Sequence, residues 1–166
     1  MTEPVVEIRD LTFAYNGQDV LSDISLTVAS GQRLAVLGPN GGGKTTLLKL
    51  ILGILTPTSG TITVFGDVPG RQSARIGYVP QRLDGVAERR DLPVRVREVV
   101  LMGLLRPGRN GFRYTTEEVA RADAALARVE MPGLADKRFC ELSGGQKQRT
   151  LLARALVAEP GLLILD

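Results

Sequence analysis

Histidine and tryptophan are absent from this chain of 166 residues, and cysteine occurs once, as Cys140. A single cysteine cannot form an intrachain disulfide, and without histidine a zinc site would lack its usual ligands. No apolar run approaches the roughly 20 residues that a membrane-spanning helix needs. The sequence therefore argues against a disulfide scaffold, a zinc enzyme and a membrane-embedded protein. We interpret Cys140 as a small hydrophobic core residue rather than as a reactive thiol.

The features of a signal peptide are missing as well. Met1-Thr2-Glu3-Pro4 places an acid and a proline where a signal peptide would have a basic and then an apolar segment. We therefore expect a cytoplasmic location. Hydrophobic residues make up 43% of the chain and charged residues 23%, which is the composition of a soluble globular protein, and the length allows one domain with a sizeable core.

Basic charge is concentrated in one segment. The formal net charge of the chain is +3, and between Arg82 and Arg113 there are eight arginines and four acidic residues. These arginines are scattered and have few aromatic neighbours, so the segment lacks the stacking surface of a nucleic-acid site. We predict no nucleic-acid partner. The segment is either a solvated face or a face turned toward a membrane protein and anionic lipid.

A glycine-rich stretch satisfies the phosphate-loop pattern G-x-x-x-x-G-K-[ST]. Its flanks are mainly apolar, which predicts a turn between a buried strand at 33–37 and a helix that runs from about residue 43 to near Gly53. Glycines leave the backbone N–H groups open to a triphosphate, and the positive end of a helix favours the same anion. Lys44 would contact the β- and γ-phosphates, Thr45 would bind Mg²⁺, and Thr46 would contact a phosphate oxygen. The loop residues are Gly38, Pro39, Asn40, Gly41, Gly42, Gly43, Lys44, Thr45 and Thr46.

Alternating patterns predict strands on both sides of this loop. Residues 5–10 have the alternation of an edge strand, Asn16-Gly17 suits a hairpin turn, and residues 21–28 resume the alternation. These segments predict a small antiparallel layer at the start of the chain. Further strands are predicted at 61–65 and 75–79.

Helical patterns dominate the second half. Apolar spacing at 96–105 and 117–130 leads us to predict a helical insertion over residues 82–138. Another helix is predicted from Ser143, a suitable N-cap, to about residue 157. The apolar run 162–165 with Asp166 at its tip is typical of a Walker B strand, which is a central parallel strand whose aspartate holds Mg²⁺.

Five features occur in the order found in the nucleotide-binding subunit of ABC transporters, and the chain resembles that family over essentially all of its length. They are Tyr15, the phosphate loop, Tyr78-Val79-Pro80-Gln81, the signature Leu142-Ser143-Gly144-Gly145-Gln146 and the Walker B strand. The signature is specific to this family among P-loop proteins. The resemblance implies an α/β fold with a P-loop NTPase core, an N-terminal antiparallel β layer and a helical insertion.

The same resemblance assigns the remaining site residues. Tyr15 would stack on the adenine of ATP, and Gln81 would contact Mg²⁺ and the attacking water. Alternatives are a hairpin core aromatic for Tyr15 and an ordinary turn glutamine for Gln81. The signature would close over the γ-phosphate bound by a second subunit, through Ser143, Gly144, Gly145 and Gln146. Lys44, Gln81 and Asp166 form the expected catalytic set, and Thr45, Gln81 and Asp166 the expected metal set.

Residues 92–103 look like the corresponding stretch of bacterial zinc and manganese uptake ATPases, and somewhat like that of iron-chelate importers. The resemblance implies a transition-metal importer subunit at the inner face of the membrane. Its partners would be a permease, a second ATP-binding subunit and, indirectly, an extracytoplasmic substrate-binding protein. The alternatives are a truncated nucleotide-binding module without turnover and a soluble, non-transport ABC ATPase.

The family pattern continues beyond Asp166 with a catalytic glutamate, a D-loop and a switch histidine, and none of them occurs in these 166 residues. We therefore predict a single ABC-type domain over residues 1–166 that is incomplete at the C-terminus, with slow hydrolysis or none. An incomplete sheet would leave an edge and apolar faces uncovered, which predicts marginal stability.

Overall fold

The computed structural model describes residues 3–81, 93–105 and 113–166. The chain divides into two compact units, Met1–Ser73 and Ala74–Asp166. The predicted helical insertion at 82–138 belongs to the second unit, and its residues 82–92 and 106–112 lie outside the described residues. Five of the eight arginines of the basic segment fall in those two gaps.

The first unit is built on an antiparallel sheet of three strands, β1 (Val6–Tyr15), β2 (Gln18–Val28) and β3 (Ser59–Val64), in the order β2-β1-β3. Asn16 and Gly17 join β1 to β2 with φ angles of 50° and 82°, the positive values that a type I′ hairpin turn requires. The predicted antiparallel layer is therefore confirmed.

The prediction of an edge strand at 5–10 was wrong, because β1 is the central strand. Val6 pairs with Val28 of β2 on one side and with Val64 of β3 on the other. The polar residues of β1 mark the exposed face of the sheet rather than an exposed edge. The register shifts after Ile8, and this irregularity lets Ile8 and Leu11, three residues apart, both be buried.

One helix, α1 (Lys44–Ile51), follows the phosphate loop and buries Leu47, Leu50 and Ile51. Its end is a Schellman motif around Gly53, whose φ is 73°. The N–H of Gly53 donates to the carbonyl of Leu50, and the N–H of Ile54 donates to that of Lys49. Glycine after residue 52 thus ends the helix where the sequence predicts.

The predicted buried strand at 33–37 is not formed. These residues have no regular secondary structure, and Leu37 is 90% exposed. A strand needs neighbouring strands to pair its backbone groups. Within the first unit, β1 pairs with β2 and with β3, and residues 33–37 take no part in the sheet. The apolar composition of the segment was therefore not sufficient to predict its conformation.

In its described residues, the second unit combines a two-stranded parallel sheet with three α-helices. The strands are β4 (Ile76–Val79) and β5 (Leu162–Leu165), and the helices are α2 (Val96–Leu101), α3 (Thr116–Arg128) and α4 (Gly144–Leu156). A 3-10 turn, Met102–Leu104, continues α2, so the predicted helix at 96–105 is present in two pieces. No helix in the described part of the chain has the length and apolar character to cross a membrane.

One apolar cluster holds the three helices together. Val100 of α2, Leu126 of α3 and Leu151 of α4 are all buried in it. Arg97 adds an ionic link, because its Nε lies 2.8 Å from Oδ1 of Asp123 and its Nη1 lies 2.6 Å from Oδ1 of Asp136. The hydrogen bond to Asp123 is the main cause of a raised Arg97 pKa. Part of the basic segment therefore serves internal packing.

Strand β5 departs from the Walker B prediction in its burial. It pairs in parallel with β4, as a Walker B strand should, but Leu165 is 63% exposed and Leu163 is also exposed. Only β4 pairs with β5 among the described residues, so β5 is not the central strand that was predicted. The exposed leucines agree with the expectation of uncovered apolar faces.

Leu126→Ala tests the helical core. Leu126 is 1% exposed, so the substitution should lower the free energy of unfolding by about 2–5 kcal/mol through lost burial and a cavity. Arg128→Ala, an exposed site on the same helix, is the control and should change it by no more than about 0.5 kcal/mol. Urea denaturation followed by circular dichroism measures both, and equal losses would contradict the assigned core.

Candidate nucleotide-binding site

The phosphate loop enters α1 through glycines in the left-handed region. Gly41 has a φ of 82°, and Gly43, the N-cap of α1, has a φ of 79°. The N–H of Gly42 donates to the carbonyl of Pro39 at 3.1 Å and closes a tight turn between them. The first turn of α1 has no acidic residue, so its positive dipole end is not neutralised there. These features give the loop the backbone form of an anion cradle.

Gly43 also allows a close approach between the loop and β2. A Cβ atom at this position would lie 2.7 Å from Cδ2 of Leu21 and 3.0 Å from the carbonyl oxygen of Val20. Any side chain would therefore push the loop away from the sheet. The glycine is required here by packing as well as by its φ angle.

Lys44 holds its ammonium group over the loop. Its Nζ donates to the carbonyl of Gly38 at 2.9 Å and to that of Pro39 at 2.7 Å. The ammonium group thus lies beside the backbone that would bind phosphate. A bound phosphate could accept the hydrogen bonds that Lys44 now donates to these carbonyls. Thr45 is half-buried and Thr46 is buried at the start of α1. The predicted contacts of both hydroxyls stay predictions.

Tyr15 offers an aromatic surface at the end of β1. It is 43% exposed, whereas its neighbour Phe13 is buried. The two rings meet edge to face, with centroids 4.8 Å apart and an interplanar angle of 87°. Phe13 fills the core position, so the exposed ring of Tyr15 favours the stacking role over the alternative of a hairpin core aromatic.

In the second unit, parallel pairing brings Gln81 and Asp166 to the same edge of a sheet. Val79 of β4 pairs with Leu165 of β5, and the N–H of Asp166 donates to the carbonyl of Val79 at 3.0 Å. Gln81 follows β4 by two residues and is exposed. The carboxyl ends of parallel strands form the usual ligand-binding edge of an α/β sheet.

Tyr78, which the sequence did not indicate as a site residue, contacts Asp166. Oη of Tyr78 lies 3.2 Å from Oδ2 of Asp166, and the phenol is the donor. Partial burial raises the pKa of Tyr78, and the charge of Asp166 and this hydrogen bond raise it further. The motif Tyr78-Val79-Pro80-Gln81 was assigned a role only at its glutamine. The register of β4 against β5, which reveals the contact, is not readable from either strand alone.

The signature forms the N-terminus of α4 through a capping box. Oγ of Ser143 accepts from the N–H of Gln146 at 3.3 Å, and Oε1 of Gln146 accepts from the N–H of Ser143 at 3.0 Å. Gly144 and Gly145 are exposed, and a Cβ atom at either would meet nothing within 4 Å. Neither glycine has a positive φ. Neither close packing nor a positive φ requires glycine at these two positions.

A small cavity of about 170 Å³ also lies in the second unit, beside Tyr78, Gly103 and Arg154. Burial lowers the pKa of Arg154. The volume is below the roughly 300 Å³ at which sites for small organic ligands begin, so we do not assign the nucleotide to it.

Comparison with known proteins identifies the family to which this chain belongs. The sequence profile of the family described as ABC transporter matches residues 21–166. The zinc transport system ATP-binding protein TroB of Treponema pallidum is 42% identical over 172 residues, covering 99% of this chain and 61% of that protein. The manganese transport system ATP-binding protein MntB of Bacillus subtilis is 44% identical over 163 residues, covering 97% of this chain and 63% of that protein.

A solved structure agrees with these relatives. An inward-facing metal-chelate type ABC transporter superposes with a TM-score of 0.80 at 32% identity, covering 98% of this chain and 59% of that one. The predicted α/β P-loop fold with an N-terminal antiparallel layer is thereby confirmed. This chain spans about 61–63% of the length of the two relatives named above. It belongs to the ABC transporter family, as its motifs predicted.

Proposed function

We propose that this chain belongs to the ATP-binding subunit of an ABC importer, in which Mg-ATP binding and hydrolysis drive uptake of a transition-metal ion through a membrane permease. The observation that carries the proposal is the phosphate loop, with its left-handed glycines and with Lys44 over its carbonyls. Zinc and manganese are favoured as cargo because both named relatives are transport proteins for these metals. The resemblance of residues 92–103 to bacterial zinc and manganese uptake ATPases supports the same cargo.

The residues of the first unit fit ATP. Backbone N–H groups from the loop and the uncapped positive end of α1 suit the phosphates, and Lys44 adds a positive charge. Tyr15 presents an exposed ring of the kind that stacks on a base. In our proposal, residues 38–46 orient the phosphates and Tyr15 orients the adenine.

The proposed metal set fits Mg²⁺ by its chemistry. Thr45, Gln81 and Asp166 offer a hydroxyl, an amide carbonyl and a carboxylate, which are the oxygen ligands that Mg²⁺ prefers. In a Mg-nucleotide site the protein usually contributes one or two carboxylates, and the nucleotide contributes phosphate oxygens. When bound, Mg²⁺ neutralises charge on the transferred phosphate. Gln81 would in addition orient the attacking water.

The open N-terminus of α4 supports a second copy of the chain as partner. Gly144 and Gly145 leave the helix N-terminus accessible, and the capping box holds Ser143 and Gln146 in place. We propose that this surface closes over the γ-phosphate held by the other copy. Residues 1–166 would then belong to one ABC-type domain, and the insertion at 82–138 would contact the permease at the inner face of the membrane.

Nucleotide binding needs only groups that hold the phosphates and the base, whereas hydrolysis also needs a positioned water. A binding module without turnover is therefore the second candidate. Measurement of bound nucleotide and released phosphate on the same sample separates binding with slow hydrolysis from binding alone. A soluble, non-transport ABC ATPase is the third candidate, and metal uptake distinguishes it.

Lys44→Ala should weaken ATP binding about tenfold or more, because a charge-assisted contact to phosphate is lost. Lys49→Ala, at the other end of α1, is the matched control and should leave the affinity unchanged. Isothermal titration of each variant with ATP and Mg²⁺ gives the comparison. Thermal unfolding without nucleotide checks that loss of the bonds from Lys44 to the loop has not unfolded the chain. Equal affinities for the two variants would contradict the role of Lys44.

Gly145→Ala should leave ATP binding intact and reduce ATP-dependent dimerisation. The added methyl group meets open space within the chain but stands on the surface proposed for the second copy. Ser143→Ala should also spare binding and impair closure, and it should cost about 1 kcal/mol of stability because it removes the N-cap of α4. Analytical ultracentrifugation with and without ATP measures the dimer. Undiminished ATP-dependent association of both variants would exclude this surface as the interface.

Metal-ion uptake tests the proposed cargo. A cell lacking the full-length gene should take up less zinc or manganese, and the wild-type gene should restore uptake while its Lys44→Ala form should not. The measurement is cell-associated metal by mass spectrometry, with iron as the comparison metal. Uptake of zinc and manganese that did not depend on the gene would remove the metal assignment while leaving nucleotide binding to be judged by titration.

A further inference from the structure

The hydroxyl of Tyr78 contacts Asp166, and the proposed function gives this contact no role. It is the side-chain partner that β4 offers to Asp166, with Oη 3.2 Å from Oδ2. The phenol is only partly buried, so burial alone does not demand a partner for it. A phenylalanine would cover the same surface without a polar atom. The hydrogen bond to Asp166 is therefore the feature that distinguishes tyrosine from phenylalanine at this position.

Strand register explains why this tyrosine can contact Asp166. Tyr78 pairs with Ile164 across the parallel sheet, and side chains alternate between faces along each strand. Residues 164 and 166 therefore point to the same face as Tyr78, and the long phenol extends from one pair to the next. The neighbouring residue Val79 accepts from the N–H of Asp166 at 3.0 Å. Strand β4 thus holds Asp166 twice, once by its backbone and once by its side chain.

We propose that Tyr78 is a positioning residue for Asp166, whose phenol holds the carboxylate in one orientation at the edge of the β4–β5 sheet for a divalent cation. The inference rests on the proposed function, in which Asp166 binds the Mg²⁺ of Mg-ATP. A carboxylate has about four acceptor sites, so one hydrogen bond leaves capacity for a cation. A ligand oriented before binding loses less conformational entropy, which is how hydrogen-bond partners of metal ligands raise metal affinity.

Tyr78→Phe removes the hydroxyl and keeps the ring. The cation affinity of the protein loaded with a non-hydrolysable ATP analogue should fall about fivefold, which is what one hydrogen bond of ordinary strength contributes. Affinity for the analogue in EDTA should not change, because the phosphate loop is untouched. Titration with Mn²⁺, followed by its electron paramagnetic resonance signal, measures the first quantity. Tyr114→Phe, another tyrosine of the second unit, is the matched control and should alter neither.

A double-mutant cycle separates positioning from a general effect on packing. Tyr78→Phe should cost about fivefold in Mn²⁺ affinity with Asp166 present and nothing further in an Asp166→Ala background. The same loss in both backgrounds, or no loss with Asp166 present, would overturn the proposal while leaving the nucleotide site intact. Wild-type protein that bound the analogue no more tightly with Mg²⁺ than in EDTA would refute the proposed metal site and the role of Tyr78 with it.

Discussion

Parallel pairing of β4 with β5 is the constraint on which the second unit depends. It ends both strands at one edge and so places Tyr78, Gln81 and Asp166 together, although 88 positions separate Tyr78 from Asp166 in the chain. Such long-range pairing is costly in chain entropy and has to be supported by packing. The support comes from α4, because Gly77 lets β4 lie directly against the backbone of this helix. A Cβ atom at Gly77 would be 2.6 Å from the carbonyl oxygen of Ala155.

The same helix carries the signature at its other end. Its C-terminal turn carries Ala155 against Gly77, and the carbonyl of Arg154 lies where any side chain on Gly103 would collide with it. Its N-terminal turn carries Ser143 and Gln146 in the capping box. The C-terminal turn of α4 is therefore closely packed, whereas Gly144 and Gly145 at its N-terminus are exposed.

How much of this could be read from the sequence depends on the range of the interaction. Local signals were sufficient for the hairpin at Asn16-Gly17, for the end of α1 at Gly53 and for the cap at Ser143, because each is decided within a few residues. Local signals did not predict the interactions between strands. Residues 33–37 have the composition of a buried strand but no pairing in their unit, and Leu165 of β5 is exposed. The Tyr78–Asp166 contact depends on register between strands, which alternation within one strand cannot supply.

Some glycines of the chain are required by the fold itself, and others are not. Gly43 is fixed by its φ angle and by the carbonyl of Val20, and Gly77 is fixed by the backbone of α4, so both are explained without any ligand. Gly144 and Gly145 have open space around them, and alanine would favour the helix by up to about 1 kcal/mol at each position. Retaining glycine there lowers stability with no packing benefit inside the chain. In the proposed function the benefit would come from a second copy of the chain, because bare N–H groups at a helix N-terminus are suited to the phosphate that this copy would hold.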